Sequence, residues 1–264
     1  MCKYIDTHAH YNARQFKNDE AKIISKVSNW TKLIINCGTN TKEINETLDL
    51  IKKYENIYGV IGFFPVDTIE LETNENNLAW LEEKLGYEKI IGLGEIGLDY
   101  HWNKPDKEIQ KKWFIQQIEL ANKLHLPICV HSREAEKDTV DILLNNKPEY
   151  GCIIHCYSYG PRTMKKLSKI NAYFGIGGTS TYKNNELLRN AIKEMPLDRI
   201  LLETDAPYLT PEPFRKERND SSYIEYVIKN LATLLNLTEE EVIKITNENV
   251  FNAYPVLKRY LSET

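Results

Sequence analysis

Short apolar runs alternate with amphipathic helical stretches along the whole chain, and this rhythm limits the folds open to it. The runs read as strands at residues 4–10, 32–36, 57–63, 90–93, 127–131, 152–155, 173–176 and 200–203. Helical periodicity fills the gaps at 18–29, 40–54, 74–85, 105–124, 135–144, a stretch beginning at 161, and 184–192. It returns at 223–235 and 239–245, before a short tail. Asn40 with Glu43 three residues on resembles a capping box, and Pro105-Asp106 marks another helix start. Eight strands each followed by a helix are what a parallel (β/α)8 TIM barrel requires, and an open doubly wound sheet is its competitor. No low-complexity tract, linker or composition shift divides the 264 residues, so the expectation is one domain over 1–264.

Composition narrows the class of function. No apolar run approaches the roughly 18 residues of a membrane span. Met1-Cys2-Lys3 leads straight into the first strand, which leaves no place for a cleaved signal peptide. Five cysteines are present without a Cys-x-x-Cys pair, and Cys37, Cys129 and Cys152 fall in apolar strand runs. They read as reduced core residues of a cytoplasmic protein. A net charge of −4 argues against a general electrostatic hold on nucleic acid, so an anionic substrate would have to be held locally.

The residues that carry chemistry sit where strands end. Tyr4-Ile5-Asp6-Thr7-His8-Ala9-His10 places two histidines two residues apart, on one face of a strand. Glu95, His131, His155 and Asp205 follow the fourth, fifth, sixth and eighth strands. In a parallel barrel these ends converge on one mouth. Taken singly, Glu95 could pair with a lysine and Asp205 could cap the turn before Pro207. Taken together, four imidazoles and two carboxylates exceed the four ligands of a structural zinc and suit two divalent cations. Glu95 is the bridge in this reading, His8, His10 and Asp205 serve one ion, and His131 and His155 serve the other. Asp205 is also placed to accept the proton of an attacking water. His125 precedes a strand and reads as a packing or capping residue at the opposite face. His101 lies on a loop, as a substrate contact or a solvated residue.

Five segments, Asp6-Thr7-His8-Ala9-His10, Gly94-Glu95-Ile96-Gly97-Leu98-Asp99-Tyr100, His131-Ser132-Arg133, His155-Cys156-Tyr157-Ser158 and Glu203-Thr204-Asp205-Ala206-Pro207-Tyr208-Leu209, resemble the TatD-type metal-dependent deoxyribonucleases. The resemblance runs from Asp6 to Asn249-Val250-Phe251. It implies a TIM barrel, two ions of magnesium, manganese or zinc, and hydrolysis of DNA, often from a 3′ end. The six ligands it implies are the six already named.

Two departures concern the substrate. Gly62-Phe63-Phe64-Pro65 stands where the family usually has Gly-x-His-Pro, so Phe64 replaces a polar contact. Pro213-Phe214-Arg215-Lys216-Glu217-Arg218-Asn219 keeps the family's arginine and asparagine as Arg215 and Asn219 but has Phe214 in place of a histidine. Phe64, Phe214, Arg215 and Asn219 are therefore the expected substrate contacts, with Lys216 and Arg218 beside them. The aromatic pair would favour single-stranded ends through base stacking. Two further functions stay open: an amidohydrolase-type enzyme acting on an amide or lactone, and a nuclease subunit of a larger complex. Relatives of this type occur beside partner proteins in bacterial anti-phage cassettes, and a defence complex is one such setting.

Overall fold

A computed structural model describes residues 3–102 and 104–261. Met1 and Cys2, on which the reading of the leading residues rests, lie outside them. The strands are β1 (Tyr4–Ala9), β2 (Thr31–Gly38), β3 (Ile57–Ile61), β4 (Ile90–Asp99), β5 (Ile128–Arg133), β6 (Cys152–Ile154), β7 (Ala172–Ile176) and β8 (Ile200–Leu202). They pair in sequence order, every neighbour parallel. Closure between β8 and β1 uses few backbone bonds. The Asp205 amide donates to His8 O at 2.9 Å and the His10 amide to Ala206 O at 2.7 Å. Thr7 Oγ1 donates to Leu202 O at 2.9 Å. The buried Asp6 carboxylate reinforces this seam by accepting from Thr204 Oγ1 at 2.7 Å and Ser221 Oγ at 2.6 Å.

Around the barrel run α1 (Glu20–Val27), α2 (Thr41–Lys53), α3 (Asn76–Leu85), α4 (Lys107–Leu124), α5 (Glu136–Asn145), α6 (Pro161–Leu167), α7 (Glu186–Glu194), α8 (Ile224–Leu235) and α9 (Glu239–Ala253). Their starts follow local chemistry: Asn40 accepts from the Glu43 amide at 3.0 Å and Asp106 from the Glu108 amide at 2.8 Å. The Glu43 carboxylate does not complete a capping box; it takes the Thr39 hydroxyl at 2.5 Å instead.

Alternation along the strands splits the core into two layers. Leu33, Ile35 and Cys37 of β2 point into the barrel with Ile5, Val60, Ile91, Cys129, Ile153 and Leu201. Ile34 faces outward into the layer beneath the helices, with Ile44, Ile51, Leu93, Trp113 and Phe114. The barrel is thus a packed core rather than a channel. Val250, Ala253, Tyr254 and Leu257 plug its N-terminal end, so the opposite end alone is open to chemistry.

Two boundaries differ from the sequence expectation by more than two residues. Helix α9 runs eight residues beyond 245 because burial overrides the weak helix propensity of Thr246, Asn247 and Asn249. Thr246 Oγ1 bonds to Val242 O at 2.7 Å, and the Asn249 amide reaches Ile200 O at 2.8 Å. Strand β4 continues past Leu93 to Asp99 and stays paired with β5, across one register slip, up to the pair Asp99–Arg133. Glycines are what let the two strands meet there. A Cβ on Gly97, whose φ is +138°, would lie 2.0 Å from His131 O.

Candidate metal centre

Local irregularities aim the ligand-type side chains. In β1 the pairing with β2 slips between Asp6 and Ala9. Ile5 and His8, three apart, can therefore both point inward, where His8 Nδ1 meets Cys37 Sγ at 3.3 Å and Cys129 Sγ at 3.5 Å. In β4 the register slips between Gly94 and Ile96, so Glu95 sits within the strand at a bulge rather than at its end. A bulged residue is released from the regular pleat and can be re-aimed. Asp205 adopts φ +59° in the turn after β8, held by its amide bond to His8 O.

The six candidate ligands converge. Glu95 divides them into two groups, one for each carboxylate oxygen. Its Oε2 lies 3.3 Å from His8 Nε2 and 3.7 Å from His10 Nε2. Its Oε1 lies 2.9 Å from His131 Nδ1 and 3.8 Å from His155 Nε2. Asp205 Oδ1 completes the first group at 3.3 Å from His10 Nε2 and 3.7 Å from His8 Nε2, and is 3.8 Å from His155 Nε2. Most of these separations exceed the roughly 2.7–2.9 Å of a charge-assisted hydrogen bond. Two ligands each about 2.1 Å from one tetrahedral ion stand roughly 3.4 Å apart. The donor set and its spacing therefore fit divalent cations, and fit them better than a hydrogen-bonded ion-pair cluster.

The electrostatics point the same way. Burial pushes the Glu95 carboxyl up, but the charges of His155 and His8 and the hydrogen bond from His131 hold it well below the usual range. Burial likewise opposes ionisation of Asp205, and the His10 hydrogen bond with the His155 charge brings it below the ordinary carboxylate value. Burial and His155 disfavour a proton on His8, yet Cys129 and Glu95 lift it to about 10. His131 and His155 are raised too, against burial, chiefly by Asp99 and Glu95 for the first and by Glu203 and Glu95 for the second. Without a cation, protons on imidazole are what balance the carboxylates.

Asp99 bonds the outward nitrogen of His131 and Glu203 faces that of His155, roles the sequence reading did not give them. Asp99 Oδ2 is 3.0 Å from His131 Nε2. Glu203 Oε1 is 3.2 Å from His155 Nδ1 and accepts the Cys156 amide at 2.7 Å. Both carboxylates are buried. The missed signal was spacing: Glu203 stands two residues before Asp205, and Asp99 four after Glu95 along a continuing strand. Cys37 and Cys129, read as core residues, do pack in the core but also touch His8.

The cluster floors a cleft of about 500 Å3 whose walls include Thr39, Glu43, Phe64, Trp102, Arg133 and Tyr208. Of the expected substrate contacts, Phe64 lines this cleft, its ring 4.6 Å from that of His131. The others are not brought to it. Phe214 packs on Tyr223 and Tyr226, with ring centroids 5.4 and 4.9 Å away. Arg215 lies 3.7 Å over the Tyr182 ring, and Arg218 pairs with Asp19 at 2.6 Å. Asn219 is fully buried and donates to Thr204 O at 2.9 Å and Tyr208 O at 2.6 Å, which ties down the turn carrying Asp205. His101 bonds Glu134 at 2.9 Å on the loop after β4. His125 adopts a left-handed conformation at the end of α4, away from the cleft, with its ring 4.5 Å from Tyr150.

Among the described residues no helix is long and apolar enough to cross a membrane. Residues 5–255 match the family described as TatD related DNase. The metal-dependent hydrolase YabD of Bacillus subtilis is 42% identical over 246 residues, covering 92% of this chain and 96% of that protein. YcfH of Escherichia coli, also a metal-dependent hydrolase, is 29% identical over 250 residues, covering 93% of each. Among solved structures, the TatD homologue YjjV of Escherichia coli superposes with a TM-score of 0.89 at 27% identity, over 96% of this chain and 98% of that one. The chain folds as a TIM barrel and belongs to the TatD-related DNase family, whose matched relatives are described as metal-dependent hydrolases.

Proposed function

We propose that this protein hydrolyses phosphodiester bonds of DNA with two divalent cations, acting on single-stranded ends. The observation that carries the reading is the position of Glu95, one oxygen toward His8 and His10 and the other toward His131 and His155. His8, His10 and Asp205 would hold one ion and His131 and His155 the other, with Glu95 shared. Bound there, divalent ions polarise a phosphoryl oxygen and lower the pKa of a water. The chain's own residues do the rest. Asp205, kept ionised below the ordinary carboxylate range, accepts the proton of the attacking water. Asp99 and Glu203 fix the orientation of His131 and His155 by engaging their outward nitrogens. Trp102, Tyr208, Phe64 and Arg133 surround the cluster with ring faces and one cation, so the phosphate is gripped locally by a protein of net charge −4. Attack from a 3′ end is the polarity the family resemblance implies.

Burial of Cys37, Cys129 and Cys152 as free thiols fits a reducing, cytoplasmic setting. The test is hydrolysis of end-labelled single-stranded and blunt duplex DNA by purified protein, before and after chelation. The expected result is faster cleavage of single strands, lost on chelation and restored by magnesium, manganese or zinc. Cleavage that persists in chelator, or turnover of an amide or lactone with none of DNA, would refute the reading.

A further inference from the structure

Trp102 and Tyr208 are among the most exposed large apolar side chains of the described residues, at 55% and 48%, and both line the cleft. Aromatic rings left exposed over a polar cleft are free to stack on the bases of an unpaired strand. Their places in the chain set their geometry. Trp102 follows β4 and Tyr208 follows β8, and in an eight-stranded barrel paired in order these strands stand on opposite sides. The Tyr208 ring lies 6.2 Å from that of His10, inclined at 62°. Trp102 stands across the mouth, edge-on to His101 at 5.1 Å. Arg133, at the end of β5 and beside the start of the Trp102 loop, is exposed and makes no ion pair among the described residues. The histidine–carboxylate cluster lies between the two rings.

We infer that the cleft holds two neighbouring unpaired nucleotides of one strand, one base on Trp102 and the other on Tyr208, with the phosphate joining them over the cluster. The inference rests on the phosphodiesterase reading and adds what that reading lacks, a means of placing the scissile bond. Ring faces accept any base, so sequence preference is weak, and Arg133 takes the next phosphate on the Trp102 side. Paired bases already spend their faces on their neighbours in the stack, so a duplex end must fray by two nucleotides before it fits. Trp102 and Tyr208 are thus specificity-determining residues, and the metal-ligand set is untouched by them.

The experiment measures kcat and KM on single-stranded oligodeoxynucleotides that are intact or abasic on one side or the other of the scissile phosphate. Trp102→Ala and Tyr208→Ala should each raise KM roughly 5- to 150-fold on the intact strand, with smaller changes in kcat. Trp102→Phe and Tyr208→Phe should restore most of the loss. Each alanine variant should lose its KM effect, to within about twofold, on a strand abasic at one position, and the two variants should point to different positions. Equal effects on intact and abasic strands, both variants responding to the same position, or no effect at all would overturn the inference while leaving the nuclease reading intact. Failure of the wild-type protein to cleave the intact strand under saturating metal would remove the nuclease reading and this inference with it.

Discussion

Glu203→Gln should weaken metal binding without disturbing the fold. The carboxylate is 1% exposed, accepts the Cys156 amide at 2.7 Å and faces His155 Nδ1 at 3.2 Å. Glutamine keeps the shape and an acceptor for Cys156 but removes the charge that makes His155 a stronger donor to a cation. Carboxylates in this position typically account for roughly 10- to 100-fold in affinity, or ~1.4–2.7 kcal/mol. A second substitution reaches the same contact from behind. A Cβ at position 175 would lie 1.9 Å from Glu203 Oε2 and 2.6 Å from its Cδ. Gly175→Ala must therefore push the carboxylate off His155, at an overpacking cost of ~1–3 kcal/mol in stability. Because both changes act through one contact, Glu203→Gln with Gly175→Ala should lose little more affinity than either alone. Calorimetric titration of chelator-stripped protein gives the affinities, and thermal unfolding in chelator gives the stability. Wild-type affinity in Glu203→Gln, or a Gly175→Ala variant that is less stable yet binds metal normally, would refute the reasoning.

Glu95→Ala and Asp205→Asn should each lower DNA hydrolysis on the order of 10³-fold at saturating metal, with far-UV circular dichroism unchanged. Near-normal turnover would contradict the assignment. The stabilisation conferred by metal should grow with pH. In the cation-free protein the raised histidines, His8 to about 10, contribute stability that is complete below about pH 6.5 and is lost as pH rises toward about 10. Cations need those imidazoles neutral, so the rise in Tm on adding metal should increase across that window, and a rise that shrinks would refute it. Asn219→Ala strips two carbonyls of the Asp205 turn of their donor and should cost ~1–3 kcal/mol while lowering kcat. An effect on KM alone would instead make Asn219 a substrate contact.

The barrel was legible because strand period and helix period alternate along the whole chain, and the two boundaries furthest from expectation had a physical cause. The expected strand stopped at Leu93, yet Gly94 and Gly97 beyond it are where β4 and β5 come too close for a side chain. The end of α9 is poor in helix formers and is held by burial against the barrel floor. Convergence of the six ligand-type residues followed from strand ends sharing one face. Glu95 reaches that point by a bulge that no local pattern announces. The substrate side was less legible. Motif position drew attention to Phe64, which does line the cleft, but also to Phe214, Arg215 and Asn219, which do not, and it passed over the rings of Trp102 and Tyr208. Which loop residue turns inward depends on packing that sequence spacing does not encode.

A metal titration of chelator-stripped protein, following bound ion and released nucleotide in the same sample, tests the central claim most directly. The account predicts two divalent ions per chain, cleavage of single-stranded DNA that appears as the second is bound, and loss of both binding and cleavage in Glu95→Ala. Full cleavage with one ion or none, or two ions still bound after Glu95→Ala, would contradict it.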